Sequence, residues 1–90
     1  MKIEFDPDKR NQTLKDRGLD FACAAQLFEG LHMTGVDDRK NYSETRFVTV
    51  GHLENRLIVV AWTQRGQARR IISMRKANDR EKIYFQTYTG

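Results

Sequence analysis

The chain has 90 residues, 39% of them hydrophobic and 31% charged, and a formal net charge of +4 from 16 Lys and Arg against 12 Asp and Glu. That length allows a single domain over residues 1–90 and excludes a large cofactor-binding unit; the composition excludes a disordered chain. The positive balance favours an acidic partner, whether nucleic acid, an acidic protein or anionic lipid, and suits equally a basic surface with no role.

In chain order, Ile3 to Phe5 is a short strand signal. Asp6 and Pro7 are an N-cap and a first helical residue, and Gly18 closes the helix they open. Between them only Leu14 is strongly apolar, so this helix faces solvent. Asp20 caps a second helix that Gly30 stops. On it Phe21, Ala24, Ala25 and Phe28 form one apolar face for a sheet. The single cysteine, Cys23, lies on this apolar stretch and reads as a packed residue rather than a catalytic thiolate. One cysteine, with no apolar leader at the N-terminus, fits a reducing cytoplasm. Residues 35–46 are polar and turn-rich, a loop.

Residues 46–53 and 56–63 are β-branched runs separated by Glu54-Asn55, a hairpin signal. Gly66 turns the chain into a third strand, residues 68–74. The longest apolar run, Leu57 to Trp62, is too short to cross a bilayer, so no membrane association is expected. Asn78 caps a last helix with Glu81 at the capping-box position, and the helix is predicted to run to 84–87. The expected architecture is α+β: an antiparallel meander of three or four strands, two helices before it, one after it, and all helices on one sheet face. Simple alternation puts Arg69, Ile71, Ser73 and Arg75 on one face of the third strand and Arg70, Ile72 and Met74 on the other.

Arginines recur towards the strand ends: Arg46, Arg56, Arg65, Arg69, Arg70 and Arg75. A guanidinium binds phosphate through two parallel hydrogen bonds and stays charged, so a cluster of them suits phosphate. For each one taken singly, a solvated edge or a salt bridge to Glu44, Glu54 or Glu81 is the plainer reading. Arg75 is the exception, because Lys76 follows it and the next helix begins there.

Three stretches carry a resemblance: residues 5–28, residues 37–53 and RRIISMRKANDREKIY at 69–84. In the last, Arg70, Ile71, Ile72, Ser73, Arg75, Ala77, Glu81 and Tyr84 match; in the middle one, Tyr42, Glu44 and Arg46 match. The chain resembles the BrnT toxins of type II toxin–antitoxin systems, small ribonucleases with a RelE-like fold. One departure is Asp16-Arg17-Gly18 where that family usually has Lys-His-Gly. The resemblance implies metal-independent RNA cleavage that inhibits translation, with no cofactor, on RNA that is free or ribosome-bound. It also implies neutralisation by a BrnA-like antitoxin with a ribbon-helix-helix DNA-binding part, the toxin reaching operator DNA only through that antitoxin.

Such cleavage needs a base for the 2′-OH, cations for the phosphorane and an acid for the 5′-oxygen. Arg75 is the expected transition-state cation. Glu44, beside Arg46, is the candidate base, and the same pair reads equally as a salt bridge. Arg65, Arg70 and Lys76 are candidate RNA-binding residues. Lys9 matches a basic position of the family, and reads otherwise as an exposed helix lysine. Trp62 and Tyr84 are base-stacking candidates or core residues. His32 and His52 stand apart and suggest no metal site. The alternatives to a nuclease are a basic, non-catalytic interaction module and a toxin homologue that has lost activity.

Overall fold

A computed structural model describes all 90 residues. Strand β1 (Lys2–Phe5) leads into helix α1 (Pro7–Arg17). A 3-10 turn (Phe21–Cys23) then runs into the short helix α2 (Ala24–Glu29). Strands β2 (His32–Asp37), β3 (Arg46–Leu53), β4 (Arg56–Arg65) and β5 (Ala68–Lys76) follow, and helix α3 (Asp79–Thr89) ends the chain.

The local grammar of the sequence holds. Asp6 accepts from the Asp8 N–H, Pro7 opens α1, and Gly18 closes it in the left-handed region at φ 69°. Asn78 and Glu81 form a reciprocal capping box on α3. That helix runs two residues past the expected end. Glu54 and Asn55 both have positive φ (51° and 66°), the backbone that a two-residue hairpin loop demands. Asp20 caps the 3-10 turn rather than a full helix, which shortens α2 to six residues.

The sheet corrects two expectations. It has five strands in the order β1-β5-β4-β3-β2 and is mixed, not an antiparallel meander of three or four. β1 lies parallel to β5, and β2 takes up residues 32–37, part of which reads as loop in the sequence. Nor do the helices share one face. The 3-10 turn and α2 bury Phe21, Ala24, Leu27 and Phe28 against Ile58, Val60, Trp62, Ile71 and Met74 on one face. On the other, α3 lays Phe85 over Leu57 and Val59, with Met33, Val48 and Val50 packed alongside. Each such large side chain contributes about 1.5–3 kcal/mol by leaving water. Both faces of β4 are therefore used, as its uninterrupted apolar sequence requires.

A bulge overturns the simple alternation of β5. Ala61 faces Ser73 while Trp62 faces Ile71, so Ile72 is the extra residue. Arg69 and Ile71 consequently share a face with Met74, and Arg70, Ser73 and Arg75 share the opposite one. The Arg69 guanidinium accordingly sits 4.3 Å over the Phe28 ring and 4.7 Å over Trp62, half-buried against these two residues of the larger core.

Candidate functional site

The bulge gathers the arginines on the α3 face. There the strand registers set up three successive rows of side chains. The first crosses all five strands: Asp37, Arg46, Thr63, Arg70 and Glu4. The second is small, Gly35, Val48, Ala61 and Ser73. The third is Met33, Val50, Val59 and Arg75, and α3 packs over it. A row of short side chains between a charged row and a helix leaves a trough. Its centre is a depression lined by Asp37, Arg39, Ala61, Ser73, Arg75 and Glu81, among others.

Two guanidinium groups reach this depression, each held by a carboxylate. Arg75 donates from Nη1 and Nη2 to the two oxygens of Glu81, at 2.8 and 2.9 Å. Glu81 Oε1 also accepts from the Asn78 N–H. The Arg75 hydrogen bonds hold the Glu81 carboxyl below the usual carboxylate range despite its partial burial. Arg39 donates from Nε and Nη2 to Asp37, at 2.9 and 3.0 Å. The Asp37 side chain is only 4% exposed. Hydrogen bonds from Arg39, with a further one from the Tyr42 hydroxyl, lower its pKa to about 2. In both pairs the carboxylate fixes one edge of the guanidinium and leaves other N–H groups for a ligand.

Arg46 is held differently. Its guanidinium lies 4.1 Å over the Tyr42 ring, its Nε is enclosed without a hydrogen-bond partner, and no carboxylate pairs with it. Glu44 instead meets Arg65, at 3.4 Å, so the Glu44–Arg46 pairing expected from the sequence does not form. Arg70 is bound to Glu4 at 2.7 Å. Arg46, Arg65, Arg70 and Arg75 thus all belong to the trough face. Lys76, adjacent in sequence to Arg75, alternates to the opposite face of the strand; it lines a separate hollow at the sheet end, where β4 begins and β5 stops, with Arg56 and with Lys82 of α3. Lys9 is on α1, in the helical layer that covers that opposite face.

The remaining candidates separate cleanly. Trp62 is buried between Phe28 and Phe47 and donates to the Thr49 hydroxyl at 2.8 Å, so it is a core residue. Tyr84 is 56% exposed on α3. Burial pushes the Cys23 thiol up, against a thiolate role. Arg17 donates to the Met74 carbonyl at 2.8 Å and ties α1 to β5 away from the trough. No three His, Cys, Asp or Glu side chains gather in a way that could hold a metal ion. No helix is long and apolar enough to cross a membrane.

Sequence reasoning passed over Asp37 and Arg39. Their segment reads as a polar loop, and only the pairing of β2 with β3 places Asp37 beside Arg46. The available signal was Asp37-x-Arg39, a carboxylate and a guanidinium two residues apart at the end of a strand.

No curated protein matches the chain closely enough to count as a relative. A family model described as the ribonuclease toxin BrnT of type II toxin–antitoxin systems matches residues 5–81, a span that contains every residue of the trough except Glu4. The match spans most of the chain, and the chain belongs to the BrnT family of ribonuclease toxins of type II toxin–antitoxin systems.

Proposed function

We propose that the trough binds an RNA backbone and that the protein cleaves it without a metal ion. The observation that carries this reading is the placement of Arg75. It is held at two points by Glu81 on one wall of the trough, and Arg39, fixed by Asp37, reaches the same depression from the other wall; Arg46, a cation with no carboxylate partner, stands beside Asp37 in the charged row. A phosphate between such walls would be met by cations fixed before it arrives, so little reorganisation is needed as charge builds up on the phosphorane. Arg65 and Arg70 would take adjacent phosphates on the same face. Lys9 and Lys76, on the other side of the sheet, enter the proposal only as outlying contacts.

In the reaction the 2′-oxygen attacks the neighbouring phosphorus, the bond to the 5′-oxygen breaks, and a 2′,3′-cyclic phosphate and a 5′-hydroxyl result. A base takes the 2′-OH proton and an acid returns one to the leaving oxygen. Asp37 and Glu81 are poorly suited to accept a proton, because their guanidinium partners stabilise the ionised forms. Glu44 is the carboxylate we assign as base: its contact to Arg65 is long and exposed. The cleaved RNA would include messages, so that translation stops in the cytoplasm. A BrnA-like antitoxin with a ribbon-helix-helix part would neutralise the toxin and bring it to operator DNA.

The test is cleavage of naked RNA in EDTA by the wild-type protein and by Arg75→Ala, repeated with translating ribosomes. Loss of an oxyanion-type donor lowers rates by about 100-fold or more. That loss is expected for Arg75→Ala. Equal rates for the two proteins would remove Arg75 from the site and favour a non-catalytic binding module.

A further inference from the structure

At the β2 edge the trough changes character. Beyond the guanidinium groups it opens into an apolar groove lined by Met33, Gly35, Val36, Val48, Val50 and Tyr84. Val36, Val48 and Glu81 belong to both the groove and the cationic depression, so the two are continuous. The groove encloses about 410 Å³.

Gly35 keeps it open. Its register neighbour is Val48, so a side chain at this position would point to the trough face. A Cβ built there meets nothing within 4 Å, and the backbone is not in the left-handed region. Neither the turn chemistry nor the packing of β2 therefore requires glycine, and its effect is to leave space. β2 is also an edge strand, so part of its backbone N–H and C=O groups face outward unpaired. Across the groove Tyr84 is exposed, with Tyr88 against it at a centroid separation of 4.6 Å.

We infer that this groove is a nucleobase subsite. The inference rests on the reading of the trough as an RNA-backbone site, and it adds where one base goes. A nucleotide is an anion joined to a flat, largely apolar ring whose rim carries donors and acceptors. The molecule offers those features in the same order: guanidinium groups, an apolar groove with a tyrosine wall, and free backbone groups along the β2 edge. Stacking on an aromatic side chain tolerates any base, whereas backbone groups of an edge strand can distinguish one base rim from another. A protein segment could use an apolar groove, but the guanidinium groups at its inner end favour an occupant that carries phosphate.

The test uses 2′-O-methyl oligonucleotides, which lack the attacking hydroxyl and survive binding measurements, each with one abasic position moved along the strand. The proteins are the wild type, Gly35→Val, Tyr84→Leu and Arg75→Ala. The wild type is expected to lose about tenfold in affinity when one particular position is abasic. Gly35→Val fills the groove and should abolish that difference, bringing the intact and abasic strands to one affinity, and Tyr84→Leu should reduce it. Thermal melting of Gly35→Val, expected to match the wild type, shows that the fold is kept. Arg75→Ala should weaken binding of every strand alike. A wild type indifferent to abasic positions, or a Gly35→Val protein that keeps the preference, would overturn the subsite. So would a Gly35→Val protein that binds RNA normally but no longer binds its antitoxin, since the groove would then be a protein dock. If the base preference disappears in Gly35→Val while the wild type cuts no RNA, the cleavage reading fails and the subsite stands.

Discussion

Arg75 and Glu81 join the end of β5 to the first turn of α3 through two parallel hydrogen bonds of 2.8 and 2.9 Å. The same carboxylate completes the capping box by accepting from the Asn78 N–H at 2.9 Å. One side chain thus starts a helix and aims a guanidinium. The turn between them, Ala77 and Asn78, is held to β4 by the Ala77 N–H to Leu57 carbonyl bond.

Glu81→Gln separates the two roles. An amide can still accept from Asn78, since Gln serves in a capping box, but it cannot hold a guanidinium through two acceptors. The expected result is a stability change within about 1 kcal/mol, because the Arg75 side chain is 46% exposed and exposed pairs contribute little. RNA cleavage should fall much further than stability does. Asn78→Ala should do the reverse, losing about 1 kcal/mol in a urea melt with a smaller effect on cleavage.

The Asp37 carboxyl gives an acid-stability signature. Its pKa is lowered in the folded protein from an ordinary 3.8 to about 2. A depressed carboxylate pKa contributes stability that is full above the unfolded value and is lost as pH falls through the folded one. The contribution should therefore be complete above about pH 5 and decline between about pH 4 and pH 2. Asp37→Asn should flatten that part of the stability–pH curve. Asp20, lowered by Arg10, and Glu81, lowered by Arg75, add to the wild-type decline in the same direction. A variant curve parallel to the wild type would show that the Arg39 pair does not persist in solution.

The β3–β4 hairpin can be improved. Glu54 and Asn55 both occupy the left-handed region, which costs a residue with a Cβ about 1–2 kcal/mol, less for Asn. Replacing the pair by Asn-Gly supplies the preferred residues for this loop. Glu54→Asn with Asn55→Gly should raise the unfolding free energy by about 1 kcal/mol, read by chemical denaturation, without altering RNA cleavage.

Gly51 and Gly35 should respond in opposite ways. A Cβ at Gly51 would stand 3.1 Å from Leu27 Cγ and from His32 Cβ, and Leu27 is fully buried. Gly51→Ala should cost about 1–3 kcal/mol through overpacking. A side chain at Gly35 meets open space and should leave the melting temperature unchanged.

The start and stop of α1, the capped start of α3, the Glu54-Asn55 hairpin and the central place of β4 were legible in the sequence, because caps, turns and a doubly apolar strand are local physics. The resemblance to BrnT toxins was equally legible, because the matching residues occur in order along the chain. What local reasoning missed was set by long-range pairing. The parallel β1–β5 contact joins residues more than sixty apart, and no sequence period announces it. The bulge at Ile72 shifts the parity of β5, and with it which arginines share a face; one inserted residue reverses every side chain beyond it. Asp37 and Arg39 came to the site only through the register of β2 on β3. Residue types alone determined that this chain is a small basic α+β protein. Only tertiary structure decided which guanidinium groups face one trough, because a face of a sheet belongs to several strands at once.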